Sequence, residues 1–220
     1  MIVAIDGPAG AGKSTVARAV AHALGFTYLD TGALYRTVAL AALEKGVDPG
    51  DGRALGDLAA ATAIEPSGDR VLMGARDVTE RIREADVTEL VSVISAHPEV
   101  RGALLRLQQK AAGSGDIVIE GRDIGTAVAP GAPVKIFLTA SPVERAKRRA
   151  AQLGLPLDDA TLKELTEDLV ERDLADATRP SSPLTKAPDA TEVDTTDMSR
   201  DAVVEAIVAR ARAAGAGIGR

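Results

Sequence analysis

Hydrophobic positions along the 220-residue chain follow two rhythms. Short unbroken apolar runs at residues 2–5, 117–119 and 134–138 lack polar alternation, as expected of parallel strands covered on both faces. Between them, apolar residues recur at helical spacing. Val16, Val20 and Leu24 lead up to Gly25, the pattern of a helix closed by a C-terminal glycine. Further helices are predicted over residues 33–44, 99–112, 142–153, 160–174 and 199–213, with Val193-Asp194-Thr195 as a last short strand. Strands interleaved with helices predict an α/β fold on a parallel sheet.

Two stretches break this rhythm. Glu65-Pro66-Ser67-Gly68-Asp69 is a turn signal, followed by Val71-Leu72-Met73-Gly74 and Asp77-Val78-Thr79, so residues 62–83 read as a small antiparallel insertion hinged onto the main sheet. The charged stretch from Pro142 to about residue 180 is mostly helical, broken at Leu153-Gly154-Leu155-Pro156. The chain is therefore expected to be a single domain with an insertion at about 60–90 and a helical lid at about 142–180. A Gly/Ala tail after Ala213 is expected to fray.

Composition narrows the function. Aromatics make up 2% of the residues, so the core must be built from Ala, Leu, Val and Ile, and stacking platforms for single-stranded nucleic acid are scarce. A formal charge of −6 argues against a polyanionic partner, though not against a small phosphorylated ligand held by local arginines. With no cysteine, neither disulfides nor thiolate metal sites are expected. The opening run Ile2-Val3-Ala4-Ile5 is too short for a signal peptide or a membrane span, so a cytoplasmic monomer is the expectation.

The strongest chemical signal is Gly7-Pro8-Ala9-Gly10-Ala11-Gly12-Lys13-Ser14-Thr15, which fits the phosphate-binding pattern G-x-x-x-x-G-K-[ST]. It follows a buried strand and opens a helix, as the chemistry requires: glycines let successive N–H groups point at phosphate oxygens, and the helix N-terminus adds partial positive charge. Lys13 is expected to bridge the β- and γ-phosphates of ATP, and the Ser14 hydroxyl to ligate Mg²⁺. No N-K-x-D guanine-reading motif occurs; Thr185-Lys186-Ala187 comes nearest. Ile117-Val118-Ile119-Glu120 ends acidic but runs on into Gly121-Arg122-Asp123, which reads as a ligand-binding corner more than as the metal-holding strand of a hydrolysing ATPase. Size and the two inserted stretches favour a phosphotransferase that closes over its substrates. A kinase of some other small metabolite and a non-catalytic ATP-binding regulator remain open on these residues. Arg36, Arg122, Arg172 and Arg179 are candidates for phosphate, since the planar guanidinium suits its oxygens. His22 and His97 read as structural or solvent-facing.

Several segments together resemble the bacterial cytidylate kinases. Besides the phosphate loop these are Leu29-Asp30-Thr31-Gly32-Ala33-Leu34-Tyr35-Arg36, Glu120-Gly121-Arg122-Asp123-Ile124-Gly125-Thr126, Val134-Lys135-Ile136-Phe137-Leu138-Thr139-Ala140-Ser141, Arg172-Asp173 with Asp176 and Arg179, Ser182-Pro183-Leu184, and Val193-Asp194-Thr195. The resemblance implies a P-loop three-layer α/β/α core, a monophosphate-binding insertion, a lid, and transfer of the γ-phosphate of ATP to CMP or dCMP. It further implies Ser92, Arg101 and Asp123 at the cytosine edge, Arg172 and Asp176 at the ribose, and Thr31, Arg36, Arg122 and Arg179 around the acceptor phosphate. Arg145, Arg148 and Arg149 would belong to the lid over ATP. A nucleoside monophosphate is already largely a dianion near neutral pH, its second pKa being about 6, so it needs charge neutralisation and no general base.

Overall fold

β1 (Ile2–Asp6) is the central strand of a five-stranded sheet in the order β2-β6-β1-β7-β8, in which β1 pairs parallel with β6 (Ile117–Gly121) and β7 (Val134–Thr139), and β7 pairs parallel with β8 (Thr191–Asp194). β2 (Thr27–Asp30) forms the other edge. The computed structural model describes residues 1–215. They form two compact units, one of residues 1–28 with the described residues from 115 on, the other Leu29–Ser114.

In the first unit, strand alternation sorts the residues of β1. Val3 and Ile5 join Val118, Val134, Ile136 and Leu138 in one apolar cluster, closed by Val16 and Val20 of α1 (Lys13–Leu24) and by Val203 and Ile207 of α8 (Arg200–Ala214). Each such side chain, fully buried, contributes about 1.5–3 kcal/mol. Ala4 and Asp6 take the opposite face of β1. There the π-helical turn (Ile124–Val128) that follows β6 packs against β1. α1 ends as expected at Gly25, whose left-handed φ of 70° lets its N–H reach back to Ala21 and His22. α6 (Pro142–Leu153) stops at Gly154, again left-handed, before α7 (Asp159–Thr178) packs back along it around Ala9, Ala146 and Leu169.

The second unit has its own core, built on Leu34, Val38 and Leu40 of α2 (Thr31–Lys45), Leu55 and Leu58 of α3 (Gly52–Ala61), Val87 and Ile94 of α4 (Ala85–Ile94), and Val100 and Leu104 of α5 (Pro98–Ala112). The antiparallel insertion read from the sequence is present as β3 (Ile64–Ser67), β4 (Arg70–Met73) and β5 (Arg76–Asp77). It is one part of this larger unit, whose bounds run well beyond residues 60–90. From residue 216 on, the Gly/Ala tail lies outside the described residues. Among the described residues, no helix is long and apolar enough to cross a membrane.

Candidate active site

The loop between β1 and α1 takes its shape from three glycines, Gly7, Gly10 and Gly12, at φ of 149°, 75° and 89°. A side chain on Gly7 would also place its Cβ 2.1 Å from the Leu138 carbonyl oxygen of β7, so only glycine lets the loop lie this close to the sheet. Lys13, buried at the first position of α1, donates to the Pro8 carbonyl at 2.7 Å. Behind the loop stand two of the three arginines expected over ATP. Arg145 donates to the Ala9 carbonyl at 3.0 Å and pairs with Asp173 at 2.6 Å. Arg148 donates to the Ala11 carbonyl at 3.4 Å and grips Thr195 twice, at its hydroxyl (2.9 Å) and its carbonyl (2.7 Å). Both guanidiniums hold carbonyls of the loop. Arg149 donates to Gln152.

A second constellation lies at the carboxyl end of β6. The Ser14 hydroxyl donates to Glu120 Oε2 at 3.0 Å, and the Tyr28 hydroxyl donates to the other carboxylate oxygen. Arg122 donates to Asp176 at 2.8 Å, Asp176 also accepts from Arg179 at 3.1 Å, and Arg179 lies 3.9 Å from Asp123. Arg172 is close enough to help hold the Asp176 charge. Ser182, whose carbonyl accepts from Arg179 at 2.7 Å, has a φ of 48°, uncommon for a residue with a side chain.

The charges here act on one another. Burial pushes the Lys13 ammonium down to about 7, and the Arg122 guanidinium pushes the same way, against Glu120, Asp6 and Asp176. Burial raises the Asp6 carboxyl to about 6, despite hydrogen bonds from the Gly125 and Ile124 amides. Burial also opposes ionisation of Asp176, but the charge and hydrogen bond of Arg122, aided by Arg179 and Arg172, outweigh it and hold that carboxyl below its usual range. The phosphate-loop lysine and the arginine of the β6 corner are thus near enough to repel, an arrangement suited to polyanions.

The remaining candidates belong to the Leu29–Ser114 unit. Thr31 is buried in the first turn of α2, whose cap is the Asp30 side chain accepting from the Ala33 amide. Arg36 donates to the Thr88 hydroxyl at 2.7 Å and to the Ile82 carbonyl at 3.3 Å. Arg101 is buried, with its guanidinium 5.3 Å from the centre of the Tyr35 ring and a 3.3 Å bond to the Ser95 carbonyl. Ser92 is exposed on α4. Of the two histidines, His22 on α1 of the first unit is exposed, and His97 of this unit bonds the Pro49 carbonyl at 2.8 Å.

The family model described as cytidylate kinase matches residues 3–213, and so spans both the phosphate loop and the β6 corner. The chain belongs to the cytidylate kinase family. A cytidylate kinase of Pelotomaculum thermopropionicum is 48% identical over 216 residues, covering 96% of each chain. One of Mycolicibacterium paratuberculosis is 50% identical over 213 residues, covering 93% of this chain and 92% of its own. A crystal structure of an uncharacterised protein from Eubacterium ventriosum shares the fold alone, with a TM-score of 0.51 at 12% identity over 95% of this chain and 96% of that one.

Three residues of this family member carry contacts to which the sequence assigned no role, although Glu120 and Thr195 lie within segments that match the family. Glu120, set aside as part of a ligand-reading corner, also reaches back to the phosphate-loop serine; its signal was the apolar run ending in an acid. Asp6 bears the same signal, an acid closing the run Ile2–Asp6 directly before Gly7. Thr195 lies in the matching segment Val193-Asp194-Thr195, but its bond to Arg148 joins residues 47 apart and no local signal announces it.

Proposed function

We propose that this chain transfers the γ-phosphoryl group of ATP to CMP or dCMP, giving ADP and CDP or dCDP. The observation that carries this reading is the 3.0 Å hydrogen bond from Ser14 to Glu120, which ties the phosphate loop to the β6 corner where Arg122 stands. Donor-side and acceptor-side cations lie within electrostatic range in one unit, as an in-line transfer between two polyanions demands. An oxygen of the acceptor's phosphate attacks the γ-phosphorus, and the bond from that phosphorus to the β–γ bridging oxygen breaks. No proton has to be removed from a dianionic acceptor.

The loop amides and Lys13 would cradle the ATP phosphates and share the charge that develops on the leaving ADP. Thr31, Arg36, Arg122 and Arg179 are assigned to the acceptor phosphate. Ser92, Arg101 and Asp123 are assigned to the cytosine base, and Arg172 and Asp176 to the ribose. Asp123 can accept from the exocyclic amine of cytosine, a group uracil lacks. The helical segment α6–α7 is assigned to the lid.

Mg²⁺ fits the donor set. Ser14 and Glu120 offer hard oxygens side by side, and among the described residues no cluster of three or more His, Cys, Asp or Glu could hold a metal by protein ligands alone. A cation shared between one or two protein oxygens and substrate phosphates is the usual arrangement for Mg²⁺, and it would neutralise charge on the transferring group. Ser14 would be its ligand, with Glu120 orienting the hydroxyl.

Measuring ADP formation with CMP, dCMP, UMP, AMP and shikimate as acceptors tests the reading. CMP and dCMP are expected to exceed the rest. Turnover confined to any other acceptor would replace it.

A further inference from the structure

Asp6 takes no part in the chemistry assigned above, yet it sits where the two halves of the site meet. It is the last residue of β1, and the phosphate loop begins at the next position. Its side chain is buried, with 5% of its surface exposed, on the face of the strand that bears the turn after β6. One carboxylate oxygen accepts from the Ile124 amide and the other from the Gly125 amide, both at 2.8 Å. These amides open the turn whose N-terminal flanking residue is Asp123.

A residue of that type in that position ordinarily caps the turn with its own side chain. Asp123 makes no such bond. Asp6, over a hundred residues away in the chain, supplies the acceptors instead, and the Asp123 carboxylate is turned to Arg179. Gly125 is packed tightly against the clamp: a Cβ there would stand 3.1 Å from Lys135 Cδ and 3.4 Å from Asp6 Oδ2. We infer that Asp6 is a positioning residue that caps the β6 turn from the phosphate-loop strand and so holds Arg122 and Asp123 in register with Lys13.

This inference rests on the proposed CMP kinase reading, and its test separates the two. Asp6→Asn keeps one acceptor oxygen but presents an amide to the second N–H, and Asp6→Ala removes both acceptors. In the full-length chain, KM for CMP should rise about tenfold in the Asn variant and further in the Ala variant, as for loss of a hydrogen bond to a charged group. The preference for CMP over UMP in kcat/KM should fall with it, while binding of a non-hydrolysable ATP analogue changes by less than about twofold. Unchanged acceptor KM and base preference, or equal weakening of ATP and CMP, would overturn the inference. Should neither variant fold, hydrogen exchange of the native chain decides: slow exchange at the Ile124 and Gly125 amides supports the clamp, and exchange at the unprotected rate refutes it. A native chain without turnover on CMP would refute the kinase reading, while the exchange result would still judge the clamp.

Discussion

Lys13 is buried where both burial and the neighbouring Arg122 oppose its charge, so its folded pKa falls from 10.5 to about 7. The sign of the linkage follows. Below about pH 7 the folded chain carries the full cost of a buried ammonium; that cost shrinks as pH rises toward 10.5, where the group is neutral in both states. Lys13→Met should therefore stabilise the nucleotide-free protein, most at pH 6.5 and least at pH 9.5, in thermal unfolding at matched ionic strength. The same substitution should abolish turnover. A gain independent of pH would mean that the ammonium is solvated after all. For Asp123→Ala the expected loss is about 1–3 kcal/mol of discrimination between CMP and UMP, read as a ratio of kcat/KM values. Arg122→Ala should lower kcat by a much larger factor than it weakens ATP binding; equal losses would contradict its place on the acceptor side.

At the scale of elements, the phosphate loop depends on β7 as well as on its own glycines. Gly7→Ala combines a positive φ with a Cβ 2.1 Å from a strand carbonyl that cannot move without the sheet. A loss of about 3 kcal/mol or more is expected in urea denaturation. Gly46, the left-handed cap of α2, has open space around it, and Gly46→Ala should cost only the conformational 1–2 kcal/mol, roughly. Similar losses at the two positions would mean that the loop gives way. The elements legible in the sequence were those with strong local signals: β1, β6 and β7 as apolar runs, α1 between phosphate loop and glycine cap, α6 to the residue, and the antiparallel turn at Gly68. β2 escaped because Thr27 and Tyr28 are not buried and break the apolar run. α3 opens on glycine, and α4 is rich in β-branched Val, Thr and Ile, so local propensity hid both; burial of Leu55, Val87 and Ile94 is what secures them. Among the candidate site residues, Lys13 and Ser14 are carried by one motif. The contacts of Asp6 and Glu120 and the Arg148–Thr195 grip are not, because each depends on parallel strands bringing distant segments into register, such as Asp6 opposite Gly121.

At the scale of the whole molecule, each of the two units closes a hydrophobic core of its own, and the assigned residues divide between them. In the unit holding the phosphate loop, the cations Lys13, Arg122 and Arg179 are answered by Glu120, Asp123 and Asp176. The formal charge of −6 is thus compatible with binding two polyanions, since only a local cluster has to be positive once those carboxylates turn to the metal, base and ribose assigned to them. The central claim is that this cluster joins a donor to an acceptor phosphate and does not deliver the phosphoryl group to water. Its most direct test is the fate of label from ATP labelled at the γ-phosphate, incubated with the native chain, Mg²⁺ and CMP. The account predicts label in CDP at a rate far above that of inorganic phosphate release. Label recovered only as inorganic phosphate, or remaining in ATP, would contradict it.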